Sequence, residues 1–246
     1  MDFTLYDAHS HLPDNHSQYG ISGWDKTRLV GSIINGVSPD DWSSVFEFTR
    51  KHSQTRPAIG LHPHSVYKAP NDWKKIFLEL LDNNPICAIG EIGLDRRDPY
   101  EKTVEQQLDA FCWQLEQAHI RNLPVSIHCV KAIGLLMETL RSHDLPPRGI
   151  HLHAYAGPVE LIPELDKLGA YFSFSARQLA SQNAKVRDRI CAVPTGRLLI
   201  ETDEMFTDEG SSLVDCYTIV TEILGISIEQ LAMNVEENFK RYFLAG

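Results

Sequence analysis

The sequence predicts an α/β fold: a parallel sheet closed into a TIM-type (β/α)8 barrel, one domain over residues 1–246. Three observations predict it. Eight short β-rich runs alternate with stretches of helical periodicity along the whole chain. No repeat, low-complexity segment or linker interrupts that alternation. The titratable residues gather at the C-terminal ends of the runs, where barrel enzymes build their sites.

The strands are expected over Leu5–His11, Gly31–Val37, Pro57–His62, Ile86–Leu94, Pro124–Cys129, Gly149–Tyr155, Ala170–Ser175 and Arg197–Asp203. Helices are expected between them over Pro39–His52, Asn71–Asn83, Glu101–Asn122, Ile133–His143, Pro158–Leu168 and Gln182–Ala192, and after them over Ser212–Leu224 and Ser227–Phe243. Ser38-Pro39-Asp40-Asp41 supplies a capping serine, a proline at the first helical position and acid in the first turn. Ser227 with Gln230 three residues on resembles a capping box. Asn122-Leu123-Pro124 and His143-Asp144-Leu145-Pro146-Pro147 end helices and launch strands. Leu12–Val30, with Pro13, Asn15, Gly20 and Gly23, reads as a loop near the site.

Hydrophobic residues at 43% and charged residues at 23% describe a globular chain with a sizeable core. No apolar run reaches the roughly 20 residues of a membrane span, and the first residues lack a basic-then-apolar leader. The five cysteines, Cys87, Cys112, Cys129, Cys191 and Cys216, are scattered with no C-x-x-C, as expected of reduced, mostly buried thiols in a cytoplasmic protein. A net charge of −10 lacks the basic balance usual in a nucleic-acid binder. Bound cations would reverse that sign locally.

His9 and His11 stand two apart at the end of the first strand, which points both rings to one face. The third strand ends Gly60-Leu61-His62-Pro63-His64, the fourth carries Glu91, the fifth and sixth end at His128 and His153, and the eighth ends Glu201-Thr202-Asp203. Four imidazoles and two carboxylates exceed the three protein ligands of a catalytic zinc. They suggest two divalent cations, with Glu91 bridging them and Asp203 binding one while orienting or deprotonating water. His151 and Glu201 lie on the same faces one layer deeper, suited to fix an imidazole tautomer; His151 suits barrel packing equally. His62 is expected at the mouth. Arg96, Arg97, Lys131 and Arg177 could contact phosphate there, and Tyr155 could stack a base. Cys129 alternates away from His128 into the core. His16, His52, His119 and His143 fall in loops or helices and read as surface residues.

The set His9-x-His11, Gly60-Leu61-His62-Pro63, Glu91-Ile92-Gly93-Leu94-Asp95, Leu123-Pro124-Val125-x-Ile127-His128, His153-Ala154-Tyr155-Ala156-Gly157 and Glu201-Thr202-Asp203 resembles the TatD family of metal-dependent hydrolases. The resemblance runs in order along nearly the whole chain. It implies an amidohydrolase-like barrel with two divalent metals and DNase activity, including 3′ exonuclease action on single strands, so DNA is the implied substrate. It makes His9, His11, Glu91 and Asp203 ligands of one metal and Glu91, His128 and His153 ligands of the other. The fourth strand offers no lysine for carbamylation, which points away from dihydroorotase-type and urease-type sites. Two segments depart from the family pattern: Val130-Lys131 after Cys129, and the acidic Glu204-Met205-Phe206-Thr207-Asp208-Glu209-Gly210. Both fall where substrate phosphates would lie.

The leading expectation is therefore a two-metal deoxyribonuclease in which a metal-bridged hydroxide attacks the phosphodiester and Asp203 assists as base. The alternative is a small-molecule amidohydrolase or esterase on the same dinuclear centre, favoured by the acidic segment and the net charge. A metal-stabilised interaction protein ranks last, because structural sites are closed tetrahedra of thiolate and imidazole. Zinc, magnesium and manganese all suit histidine–carboxylate ligands. No obligate protein partner is evident.

Overall fold

The computed structural model describes residues 3–12, 29–204 and 213–244. Seven strands, β1 (Leu5–Ser10), β2 (Leu29–Gly36), β3 (Thr55–Ile59), β4 (Ala88–Asp95), β5 (Val125–Val130), β6 (Ile150–Leu152) and β7 (Ala170–Phe172), lie side by side in sequence order, all parallel. A right-handed crossover through a helix is the usual way to join neighbouring parallel strands, so this order wraps the helices around the outside of the curling sheet.

The helices are α1 (Pro39–Lys51), α2 (Trp73–Asn83), α3 (Val104–Arg121), α4 (Ile133–Ser142), α5 (Ile162–Lys167), α6 (Ala176–Ala180), α7 (Ala184–Ala192), α8 (Leu213–Leu224) and α9 (Ile228–Phe239), the last running on through a π-helical turn over Lys240–Leu244. Their start signals work as the residues suggest. The Asp41 carboxylate accepts from the N–H groups of Val37 at 2.9 Å and Ser38 at 3.2 Å, and Ser227 Oγ accepts from Gln230 N at 3.2 Å. Each long helix turns its apolar side to the sheet: Trp42, Val45 and Phe46 from α1, Phe111 and Leu115 from α3, Val235 and Phe239 from α9 are all buried. Among the described residues no single helix is long and apolar enough to cross a membrane.

The expected eighth strand, Arg197–Asp203, is where the structure departs most from a regular ladder. Only Leu198 makes a strand bridge, to Phe172. The segment nevertheless joins both edges of the sheet. Leu199 N donates to Phe172 O at 2.8 Å on the β7 side. On the β1 side Ile200 O accepts from Ala8 N at 2.8 Å and His9 O accepts from Asp203 N at 2.9 Å. Asp7 explains the irregularity: its carboxylate, rather than a strand carbonyl, accepts from Thr202 N at 3.1 Å and Thr202 Oγ1 at 2.7 Å. Asp203 then turns into the left-handed region at φ 55°.

Smaller differences have equally local causes. Strands β6 and β7 are shorter than expected, because Ala154 turns at φ 44° and Ser175 caps a helix absent from the expectation, α6, through Gln178. The helix expected from Glu101 opens with a tight turn over Tyr100–Thr103. The β2 strand begins at Leu29, and residues 13–28 of the expected loop lie outside the described residues, as do His16 and residues 205–210 of the acidic segment. Only Cys216 of the five thiols is fully buried. Gly93 is required in β4: at φ 140° a Cβ there would lie 2.0 Å from His128 O on the paired strand. That close approach levels the ends of β4 and β5 beneath the site.

Candidate metal centre

Inward-facing residues at the C-terminal strand ends meet around one carboxylate. Glu91 of β4 is buried, and its two oxygens face different imidazoles. Oε2 lies 3.4 Å from His9 Nε2 and 3.4 Å from His11 Nε2. Oε1 lies 2.8 Å from His128 Nδ1, 2.8 Å from His153 Nε2 and 3.2 Å from His62 Nε2. His62, expected at the mouth, thus reaches the central carboxylate. Asp203 Oδ1 closes the first set at 3.6 Å from His11 Nε2.

The donors and acceptors in the first set show what fits there. His11 Nδ1 lies 3.1 Å from the carbonyl oxygen of Asn35, which only accepts, so a neutral His11 carries its proton on Nδ1 and turns a lone pair inward. His9 Nε2 faces it at 3.2 Å, while His9 Nδ1 lies 2.8 Å from Ser126 Oγ. The ring nitrogens of His9 and His11 and the carboxylates of Glu91 and Asp203 therefore converge on one another, and a neutral His11 brings no proton to them. Such a set fits a divalent cation. The Glu91–His128–His153 set offers a second group of such ligand types, and the ligand atoms of His9, His11 and Glu91, like those of Glu91, His128 and His153, cluster closely enough to share an ion. His153 Nδ1 is buried without a hydrogen-bond partner, with Glu201 Oε1 3.7 Å away.

Electrostatics agree. Burial would raise the Glu91 carboxyl, but the imidazoles of His62 and His153 and the hydrogen bond from His128 outweigh it and hold Glu91 well below the carboxylate range. Burial would likewise lower His153, and Glu91 outweighs it, holding the ring well above its ordinary value. Burial wins at His9 and His62, which fall to about 3 and about 4. The protons that His153 holds against Glu91 are those a cation would displace.

A rim of residues adjoins the second set. Asp95, fully buried at the end of β4, accepts from Arg97 N at 2.9 Å, is held by the Arg97 guanidinium through Nε and Nη2, and lies 2.7 Å from His64 Nε2 and 3.1 Å from His128 Nε2. His64 stacks on Tyr100 at 3.5 Å. The nitrogens of His62, His64 and His128 also cluster. Arg97 Nη2, 3.4 Å from His64 Nε2, already occupies that neighbourhood with a positive charge.

Of the expected site residues, His9, His11, His62, Glu91, His128, His153 and Asp203 come together, and Glu201 and His151 lie fully buried beneath them. Tyr155 requires a correction. It is buried with its ring against Phe172 and its hydroxyl donating to Pro158 O at 2.7 Å, so it offers no exposed face for stacking. Arg96 is exposed and paired with Glu101 at 2.7 Å, and Arg177 is exposed on α6. Lys131, at φ 52°, lines a cavity of about 350 Å3 with Leu136, Leu152, His153 and Tyr155. His119 Nδ1 lies 2.9 Å from Leu145 O, tying α3 to the loop after α4. The residues sequence reasoning passed over are Asp95, Asp7, Ser126 and Ser173. Asp7 and Ser126 stand two before His9 and His128, and the strand period that marks His151 and Glu201 marks them too.

A barrel with histidines and carboxylates converging at its C-terminal face is the architecture of metal-dependent hydrolases. The family model for TatD-related DNases matches residues 6–244, and the chain belongs to that family. Among its relatives, the metal-dependent hydrolase YabD of Bacillus subtilis is 26% identical over 255 aligned residues, covering 97% of this chain and 98% of YabD. The 3′-5′ ssDNA/RNA exonuclease TatD of Escherichia coli is 28% identical over 174 residues, covering 70% of this chain and 66% of TatD. The crystal structure of YjjV, a TatD homologue from E. coli, superposes with a TM-score of 0.85 over 100% of both chains at 22% identity, which shows the shared fold.

Proposed function

We propose that this chain is a two-metal hydrolase of DNA phosphodiester bonds, acting as an exonuclease at the 3′ end of single strands. The observation that supports it best is Glu91, a buried carboxylate whose two oxygens face two separate sets of imidazoles. His9, His11, Glu91 and Asp203 would hold one divalent cation and Glu91, His128 and His153 the other. Zinc, magnesium and manganese are all compatible with those donors. When bound, the pair supplies concentrated positive charge for a phosphate and acidifies water.

The chain's own residues supply the rest. Asp203 is held by its N–H on His9 O at 2.9 Å and keeps its carboxyl below the ordinary range: burial opposes this, but the surrounding imidazoles of His11, His153 and His9 outweigh it. An ionised Asp203 takes the proton of the attacking water as the water oxygen adds to phosphorus. The P–O bond to the leaving sugar then breaks, and the proton passes to that leaving oxygen. Arg97, fixed by Asp95 beside His64 and His128, places a guanidinium at the edge of the site for the phosphate backbone. The relative named as an ssDNA/RNA exonuclease supports nucleic acid as the substrate class.

The test is release of mononucleotides from 3′-labelled single-stranded DNA in Mg2+, Mn2+ or Zn2+, with Glu91→Ala as the blank. Metal-dependent release absent from the blank is expected. No release with any of the three, from protein shown to hold two ions, would overturn the nuclease reading and direct attention to small esters and amides.

A further inference from the structure

Beneath the site the described residues form an unbroken hydrogen-bonded arc across the barrel interior. His9 Nδ1 lies 2.8 Å from Ser126 Oγ, Ser126 Oγ 3.4 Å from His151 Nδ1, His151 Nε2 2.6 Å from Ser173 Oγ, and Ser173 Oγ donates to Glu201 Oε2. The other Glu201 oxygen accepts from Ala154 N at 2.7 Å. All five side chains belong to buried residues. The strand register makes the arc possible: Ser126 and His151 are paired positions of β5 and β6.

Every member except the last has one proton to place, so the end of the arc sets its direction. Glu201 accepts at both oxygens, from Ala154 N at Oε1 and from Ser173 Oγ at Oε2. The Ser173 hydroxyl must then donate to it and accept from His151, which carries its proton on Nε2. The free His151 Nδ1 accepts from the Ser126 hydroxyl, and Ser126 Oγ accepts from His9 Nδ1–H. His9 is left with its Nε2 lone pair directed at Glu91 and His11, the form a metal needs.

We propose that Glu201 is a positioning residue that sets the tautomer of His9 from four hydrogen bonds away, through Ser173, His151 and Ser126. The inference rests on the reading of His9 Nε2 as a metal ligand. It does not depend on what the enzyme hydrolyses.

A single substitution reverses the arc. In Glu201→Gln, the bond from Ala154 N keeps the amide oxygen on its side and turns the NH2 group toward Ser173. The new amide therefore donates where the Glu201 carboxylate accepts. Ser173 then donates to His151 Nε2, His151 carries its proton on Nδ1, Ser126 donates to His9 Nδ1, and His9 presents N–H rather than a lone pair to the metal. Ser173→Ala acts in the same direction, because it removes the acceptor of His151 Nε2–H and leaves Ser126 as the ring's remaining partner.

The test is long-range 1H–15N correlation of 15N-histidine-labelled full-length protein, which separates Nδ1–H from Nε2–H rings, with zinc affinity measured alongside. His151 is not a ligand, so its tautomer is read with or without zinc. The expected result is Nε2–H at His151 in the native protein and Nδ1–H in Glu201→Gln and Ser173→Ala, with zinc affinity lowered roughly 10–100-fold. Adding Ser126→Ala to Glu201→Gln should leave His151 inverted but release His9 and restore part of that affinity. An Nδ1–H ring at His151 in the native protein, an unchanged ring in both variants, or inversion without any change in zinc affinity would each overturn the proposal. Loss of nuclease activity alone would not, so this proposal and the nuclease reading fail separately.

Discussion

Two layers of the barrel interior, one strand period apart, are built on opposite rules. In the lower layer Asp7, Ser126, His151, Ser173 and Glu201 match donor to acceptor at each step. In the upper layer the ring nitrogens of His9 and His11 converge with the carboxylates of Glu91 and Asp203 rather than pairing off one by one. A satisfied network holds a single arrangement, whereas converging ligand atoms call for a cation. The strand ends offer the ion its ligands, and the layer beneath fixes how they are offered. Removing an upper residue should therefore cost binding and turnover, and removing a lower one should cost stability or geometry.

The largest effect is expected at Glu91. Glu91→Ala should lose bound metal, measured by mass spectrometry under native conditions, and lower turnover by about 10³-fold or more, with circular dichroism showing the fold retained. Retention of both ions would break the comparison at its centre. Next comes Asp7→Ala, which orphans His9 N, Thr202 N and Thr202 Oγ1. Urea unfolding should show a loss of about 3 kcal/mol; a loss too small to measure would mean the lower layer is not what ties β1 to residues 198–203.

A pH series sharpens the contrast further. Burial holds His151 well below its ordinary value of 6.5, so below that pH the unfolded chain takes a proton that the folded chain refuses. Stability from this group is present at neutral pH and is lost as pH falls. Between pH 7 and 5 the metal-free native protein should lose about 2 kcal/mol more than His151→Gln, as read from denaturant midpoints. Equal slopes would show that His151 is charged in the folded state. The smallest effect belongs to Tyr155→Phe, which removes only the bond to Pro158 O. It should cost about 1 kcal/mol and leave the KM for single-stranded DNA unchanged; a raised KM would restore the base-stacking role.

The upper layer was legible in the sequence because its chemistry is concentrated in residue types that rarely gather by chance. His9-x-His11, His128, His153 and Asp203 stand at the ends of stretches that apolar residues mark as strands, and Glu91 stands inside one. The lower layer was only half legible. His151 and Glu201 stand out as titratable, but Ser126 and Ser173 are ordinary serines until the register of β5, β6 and β7 sets them beside His151. Asp95 lies within the motif that contains Glu91, yet its role depends on Arg97 and His64 folding back onto it. The eighth strand read as regular because Leu198–Ile200 is apolar. Nothing local announces that Asp7 displaces its ladder bonds at Thr202.

The most direct test of the account is a crystal structure of the metal-loaded protein with anomalous scattering measured at the metal's absorption edge. The account predicts two peaks flanking Glu91, one bounded by His9, His11 and Asp203 and the other by His128 and His153. A single ion, or an ion held by His62, His64 and His128 with Glu91 uninvolved, would contradict it.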